Sequence, residues 1–138
     1  MTTAFANPRD VHAPVGPYSH TAVVRAGAEL VFVSGQVGMR PDGSTPEDFA
    51  EQCEITFQNL KACLAAHGLK LDAIVKLTAF LVAGQDLGVL RAARERHFGP
   101  HRPTSTTVYV AALASPALLI EIEAIAAKAP VHTADVRL

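Results

Sequence analysis

The chain has 138 residues, of which 49% are hydrophobic and 18% charged, with a formal net charge of −1. That length supports one globular domain whose core needs no disulfide or metal staple, and the near-neutral charge offers no electrostatic footprint for nucleic acid or an anionic membrane. Met1 to Asp10 lacks an apolar signal core and no apolar run reaches membrane-spanning length, so a soluble cytoplasmic protein is expected.

The expected organisation is one domain over residues 1–138, with 1–17 an extended N-terminal segment and 129–138 a patternless tail. Asn7 to Pro17 holds three prolines and should run extended over the surface. Gly16-Pro17-Tyr18 then delivers an aromatic hydroxyl ahead of the first expected strand, His20 to Ala26. Gly27-Ala28 supplies a turn, and Leu30 to Val37 reads as the hairpin partner. In that second strand Val31, Val33 and Val37 share one face, while Leu30, Phe32, Ser34 and Gln36 share the other. Gly35 signals a bulge, or a close approach of backbone or ligand. The Phe-Ser-Gln face reads either as a pocket wall or as a strand end emerging into water.

Arg40 to Ser44 is a turn, followed by Thr45 as N-cap and Pro46 at the first helical position. Phe49, Cys53, Phe57, Leu60 and Leu64 recur at spacings that build an amphipathic helix, and Gly68 closes it in a left-handed cap. If Cys53 and Cys63 share this helix they stand about 15 Å apart along its axis and cannot bridge. Both read as small buried hydrophobes in a reducing compartment.

Ala73 to Val82 alternates strictly. Val75, Leu77, Ala79 and Leu81 make an apolar face for helices to cover, and Lys76 and Thr78 point away. Asp86 caps a second helix through Leu87, Leu90, Ala93 and His97 to Phe98, stopped by Gly99-Pro100. Arg91, Arg94 and Arg96 read as its solvated or interface face. Thr106 to Ala112 and Leu118 to Ala127 are the last two strands. Glu121 and Glu123 lie two apart on the last one and so share a face, opposite Ile120 and Ile122. The sum is an α+β domain, one sheet with both helices on one face and nothing left in the chain to cover the other.

Familiar chemical motifs are weak here. His97 and His101 have the spacing of a helical zinc pair, but Gly99-Pro100 breaks the helix they would need, so no metal is expected. Gly84 to Gly88 lacks the Lys-Ser/Thr ending of a phosphate loop. No serine sits in a nucleophile elbow.

Short segments in a fixed order carry a resemblance. They are Gly16-Pro17-Tyr18-Ser19, Val33-Ser34-Gly35-Gln36, Asn59-Leu60 with His67-Gly68-Leu69, the run from Pro103 to Val110, and Leu118 to Ala126. Over nearly its whole length the chain resembles the reactive-intermediate deaminase family (RidA, also called YjgF, with old endoribonuclease names). The resemblance implies a chorismate-mutase-like fold assembling as a homotrimer, with ligand clefts between subunits and no cofactor. It implies a cleft that gathers Tyr18, Ser34, Gly35, Ser105, Thr107 and Glu121, with Arg91 where the family usually offers a small polar residue. Glu121 matches the glutamate that orients and deprotonates water in hydrolysis of an imine or enamine. One position departs. Deaminating members carry at Ser105 an arginine that grips the substrate carboxylate, and a serine cannot replace that charged fork. The alternative is therefore a non-catalytic metabolite-binding trimer. Ribonuclease activity ranks lowest, because the chain has neither a basic excess nor an aromatic stacking run.

Overall fold

The computed structural model describes residues 2–130. They form β1 (Thr3–Ala6), β2 (Thr21–Val24), β3 (Glu29–Val37), α1 (Phe49–Ala65), a 3-10 turn (Leu71–Ala73), β4 (Ile74–Val82), α2 (Leu87–Phe98), β5 (Thr104–Val110) and β6 (Ile120–Lys128). The main sheet has the order β3-β6-β4-β5. β4 and β5 run parallel, joined by the crossover helix α2, and the other pairings are antiparallel. Both helices cover one face, as the alternation in β4 requires.

The core follows from the two periodicities. From β4, Val75, Leu77, Ala79 and Leu81 are buried, and from β6, Ile120, Ile122, Ala124 and Ala126. The α1 stripe of Cys53, Phe57, Leu60 and Leu64 is fully buried against them. Each large apolar side chain so placed contributes about 1.5–3 kcal/mol relative to exposure. Burial pushes the Cys53 thiol up to about 12. Cys63, by contrast, is only half-buried, and both cysteines are free.

Three expectations need correction. First, β2 and β3 do not form a hairpin. β2 pairs with β1, Thr3 opposite Val24 through Ala6 opposite Thr21, as a separate two-stranded ribbon. The reason lies at the start of β2: Ser19 bridges to Thr104 on the outer edge of β5. The chain must travel from that edge to β3 at the opposite edge, so β2 cannot lie alongside β3. The architecture is thus a main sheet plus a ribbon rather than one sheet.

Second, α1 begins at Phe49, capped by Asp48, whose carboxylate accepts from Glu51 N at 3.0 Å. The residue three places after Asp48 thus offers its amide to the cap, which Thr45 is too far upstream to receive. Third, Arg94 is buried at 6% exposure, whereas Arg91 and Arg96 are exposed as expected. The spacing Leu87, Leu90, Arg94, Phe98 puts Arg94 on the apolar stripe of α2. The C-terminal caps follow the sequence: Gly68 and Gly99 both have positive φ, 72° and 55°. Most of the tail, residues 131–138, lies outside the described residues.

A buried glutamine ties the loops together. Gln52 Nε2 donates to Pro46 O at 2.9 Å and Ala117 O at 2.8 Å, and its Oε1 accepts from Leu119 N at 2.9 Å. It thereby fixes the entry into β6 two residues before Glu121. Gly38 passes so close that a Cβ there would sit 2.7 Å from Gln52 Cα. The sheet face away from the helices is open, with Phe32 at 71% exposure and a shallow hollow among Lys76, Thr78, Glu123 and Ile125.

Candidate active site

The loop before β2 is pinned onto β5. Ser19 N donates to Pro103 O at 3.1 Å, and Ser19 Oγ donates to Arg102 O at 2.5 Å. This brings Gly16-Pro17-Tyr18 over the gap between α2 and the first half of β5. The gap is a cavity of about 320 Å³. Its polar groups come from Tyr18, Arg91, Arg94, Ser105 and Thr107, and its apolar surface from Val15, Leu87, Leu90 and Tyr109. The cavity lining contains no aspartate or glutamate.

Arg94 forms the floor. Its Nη1 donates to Ser105 Oγ at 2.9 Å and its Nη2 to Pro17 O at 2.8 Å. The guanidinium lies 5.7 Å over the Phe98 ring. Its Nε is buried with no hydrogen-bond partner. Burial, then the nearby Arg102 and Arg91 charges, push its pKa down to about 10, which leaves it protonated at neutral pH. Neither Arg91 nor Arg94 pairs with a carboxylate among the described residues. Arg102 is occupied elsewhere, on Glu95 and on the carbonyls of Gly99 and His101.

Glu121 stands on the other side of the sheet. Ser105 and Thr107 pair with Leu77 and Ala79, whose side chains face the helices, whereas Glu121 pairs with Phe80 and shares the open face with Glu123. The Glu121 carboxyl lies over Gly35, where a Cβ would come within 2.7 Å of Cδ. Gly35 falls in a β-bulge between Val33 and Gln36, as the strand glycine predicted. Ser34 is exposed beside it, at a hollow bounded by Phe32, Gln36 and His67.

Of the residues expected in one cleft, a single copy thus brings together Tyr18, Arg91, Ser105 and Thr107. It holds Glu121 apart from them, across the sheet over Gly35, and Ser34 on the far edge strand, beside the end of α1. His97 and His101 are separately engaged, His97 Nε2 with Glu54 Oε2 at 2.6 Å and His101 Nε2 with Ile74 O at 2.8 Å. Sequence reasoning missed Arg94, and the helical spacing from Leu90 was the signal that could have found it.

The family model described as Endoribonuclease L-PSP matches residues 9–128. The chain belongs to this family, that of RidA and YjgF. Among its relatives is the RutC family protein YjgH of Escherichia coli, 37% identical over 109 residues, 78% of this chain and 82% of that protein. Another is the Escherichia coli protein TdcF, which carries the name reactive intermediate deaminase and is 33% identical over 118 residues, 83% of this chain and 88% of TdcF. The Rid-family protein YyfB of Yersinia pestis superposes with a TM-score of 0.82 at 27% identity, covering 91% of this chain and 98% of YyfB. The crystal structure of Escherichia coli TdcF with bound serine superposes at 0.69 with 31% identity, covering 91% of this chain and 99% of TdcF. These RidA relatives share the arrangement of two helices on a mixed sheet. Among the described residues no helix is long and apolar enough to cross a membrane.

Proposed function

We propose that this RidA-family protein is a homotrimeric small-molecule hydrolase that deaminates an imine, an enamine or a related conjugated metabolite in a cleft between copies. One copy contributes Tyr18, Arg91, Ser105 and Thr107, and its neighbour contributes Glu121, Gly35 and Ser34. The observation that carries this reading is the division of polar groups. The cavity beside α2 holds cations and hydroxyls but no carboxylate, while Glu121 waits on the opposite face over a glycine. Each half lacks what the other has. The open sheet face with exposed Phe32 gives the copies apolar surface to associate through.

In the reaction, water adds to the carbon of the C=N bond while Glu121 takes one of its protons. The nitrogen is protonated and leaves as ammonia, and the carbon becomes a carbonyl. Gly35 leaves room for the ligand and the carboxylate to lie against bare backbone. The bound serine in TdcF supports a ligand of amino-acid size and type.

A second reading, a metabolite-binding trimer without catalysis, is favoured by the serine at position 105, whose hydroxyl is already taken by Arg94. Ammonia release over a panel of imines, wild type against Glu121→Gln, separates the two. Release that depends on Glu121 supports the hydrolase, and binding without release supports the carrier. Light scattering that shows a stable monomer at micromolar concentration overturns both.

A further inference from the structure

Arg91 and Arg94 are three apart on α2 and converge on the same cavity. Arg91 is exposed at the rim, its Nη2 3.3 Å from where a Cβ on Gly16 would lie, so it leans across the mouth toward the Gly16-Pro17 loop. Arg94 lies beneath, 6% exposed, its Nε without a partner and its charge without a counter-ion among the described residues. A buried guanidinium held only by a hydroxyl, a carbonyl and an aromatic face is incompletely compensated. An anion entering the cavity supplies the missing counter-charge. The rest of the lining says what that anion carries. Val15, Leu87 and Tyr109 offer an apolar wall, and Tyr109 is fixed by donating its hydroxyl to Gln85 O at 3.0 Å. A cavity of about 320 Å³ is in the range that encloses ligands well beyond three carbons.

We propose that helix α2 supplies the anion anchor of this pocket, Arg91 receiving the ligand carboxylate directly and Arg94 holding Ser105 and adding its charge from below. The ligand is then a 2-imino or 2-oxo acid with a bulky apolar substituent. The proposal rests on the reading that this cavity is one half of the ligand cleft. Arg94 is a positioning residue in it, since its hydrogen bonds go to Ser105 and Pro17 and not to the ligand.

Titration calorimetry with phenylpyruvate, its methyl ester, pyruvate and inorganic phosphate tests it. Phenylpyruvate should bind about tenfold or more tighter than the ester or pyruvate, because a charge-assisted contact and an apolar contact both count. Arg91→Gln should remove the preference for acid over ester and leave ester binding and melting unchanged. Ser105→Ala frees Arg94 Nη1 without deleting its charge, and should change acid binding severalfold while leaving ester binding as it was. Arg94→Gln should weaken the acid too; if it fails to fold, the Ser105 variant still decides. Equal binding of acid and ester, an acid preference that survives Arg91→Gln, phosphate competing as well as phenylpyruvate, or no binding at all overturns the proposal. Acid binding that depends on Arg91 without ammonia release from any imine leaves it standing and removes the deaminase. Ammonia release from uncharged imines, indifferent to Arg91→Gln, does the reverse.

Discussion

Arg94 Nη1 donates to Ser105 Oγ across 2.9 Å, so the helix arginine and the strand serine form one unit. Installing an arginine on the strand therefore does not simply recreate the carboxylate grip that the family resemblance implies. Ser105→Arg would set two guanidinium groups against each other in a partly buried site. The repulsion is on the order of 2 kcal/mol at the effective dielectric of such places, and should lower Tm by several degrees. The single variant is expected to gain little ammonia release from carboxylate-bearing imines. Ser105→Arg combined with Arg94→Ala should recover Tm and raise that release. A single variant that is fully stable and active would show that Arg94 swings away easily.

The separation of Ser105 from Glu121 across the sheet gives a complementation test. Arg91→Ala and Glu121→Gln protomers should each be nearly inactive. Mixed at equal ratio and reassembled, about a quarter of the clefts between copies would carry both halves intact, since each half is intact with probability one half. Activity near that fraction of wild type is expected. Mixtures no more active than either parent would place both residues in one copy's site, or outside the site altogether.

Glu121→Gln should leave the assembly intact, shift melting only slightly and lower hydrolysis by about 10²–10⁴-fold, the usual worth of a positioned general base. Gly35→Ala should act on the same step through geometry, because its Cβ would overlap the Glu121 carboxyl, with Cδ only 2.7 Å away and an oxygen nearer still, and push it aside. Circular dichroism and size exclusion should show both variants folded. A large loss of stability in Glu121→Gln would make that carboxylate a structural partner instead.

Away from the cleft, Glu54 predicts a pH effect. Burial alone would raise its pKa, but hydrogen bonds from Arg96 and His97 together with their charges outweigh this and lower it. A carboxylate held below its unfolded value contributes stability that is full above about pH 4.5 and is lost as pH falls through the folded value. Glu54→Gln should therefore melt below wild type at pH 6, with the gap closing toward pH 3. A gap that does not change with pH would mean packing, and not charge, holds Glu54 in place.

Much of this was legible in the sequence. The strict alternation of Val75, Leu77, Ala79 and Leu81 gave β4 its buried face, and the Phe57-Leu60-Leu64 stripe gave α1 its own, because burial obeys these periods directly. Gly35 announced its bulge for the same local reason. The path of β2 was not legible, since it depends on a long-range bridge from Ser19 to Thr104 that no neighbouring residue encodes. Arg94 was hidden by its type: arginine is seldom buried, so its charge outweighed the helical spacing from Leu90 that puts it on the apolar stripe. That Ser105 and Glu121 lie on opposite faces of the sheet could not be seen either, because it depends on which strand lies beside which.

The two cysteines of α1 have a practical consequence. Cys53 is fully buried, and that burial raises its thiol pKa, so it resists thiolate chemistry while the fold holds. Cys63 on the same helix is partly open to solvent. A maleimide should therefore label the native protein once and the denatured protein twice. The second label then becomes a clock for opening of the core, readable by mass without a spectroscopic probe. Its rate, with and without ligand, would report how far an occupied cleft slows that opening.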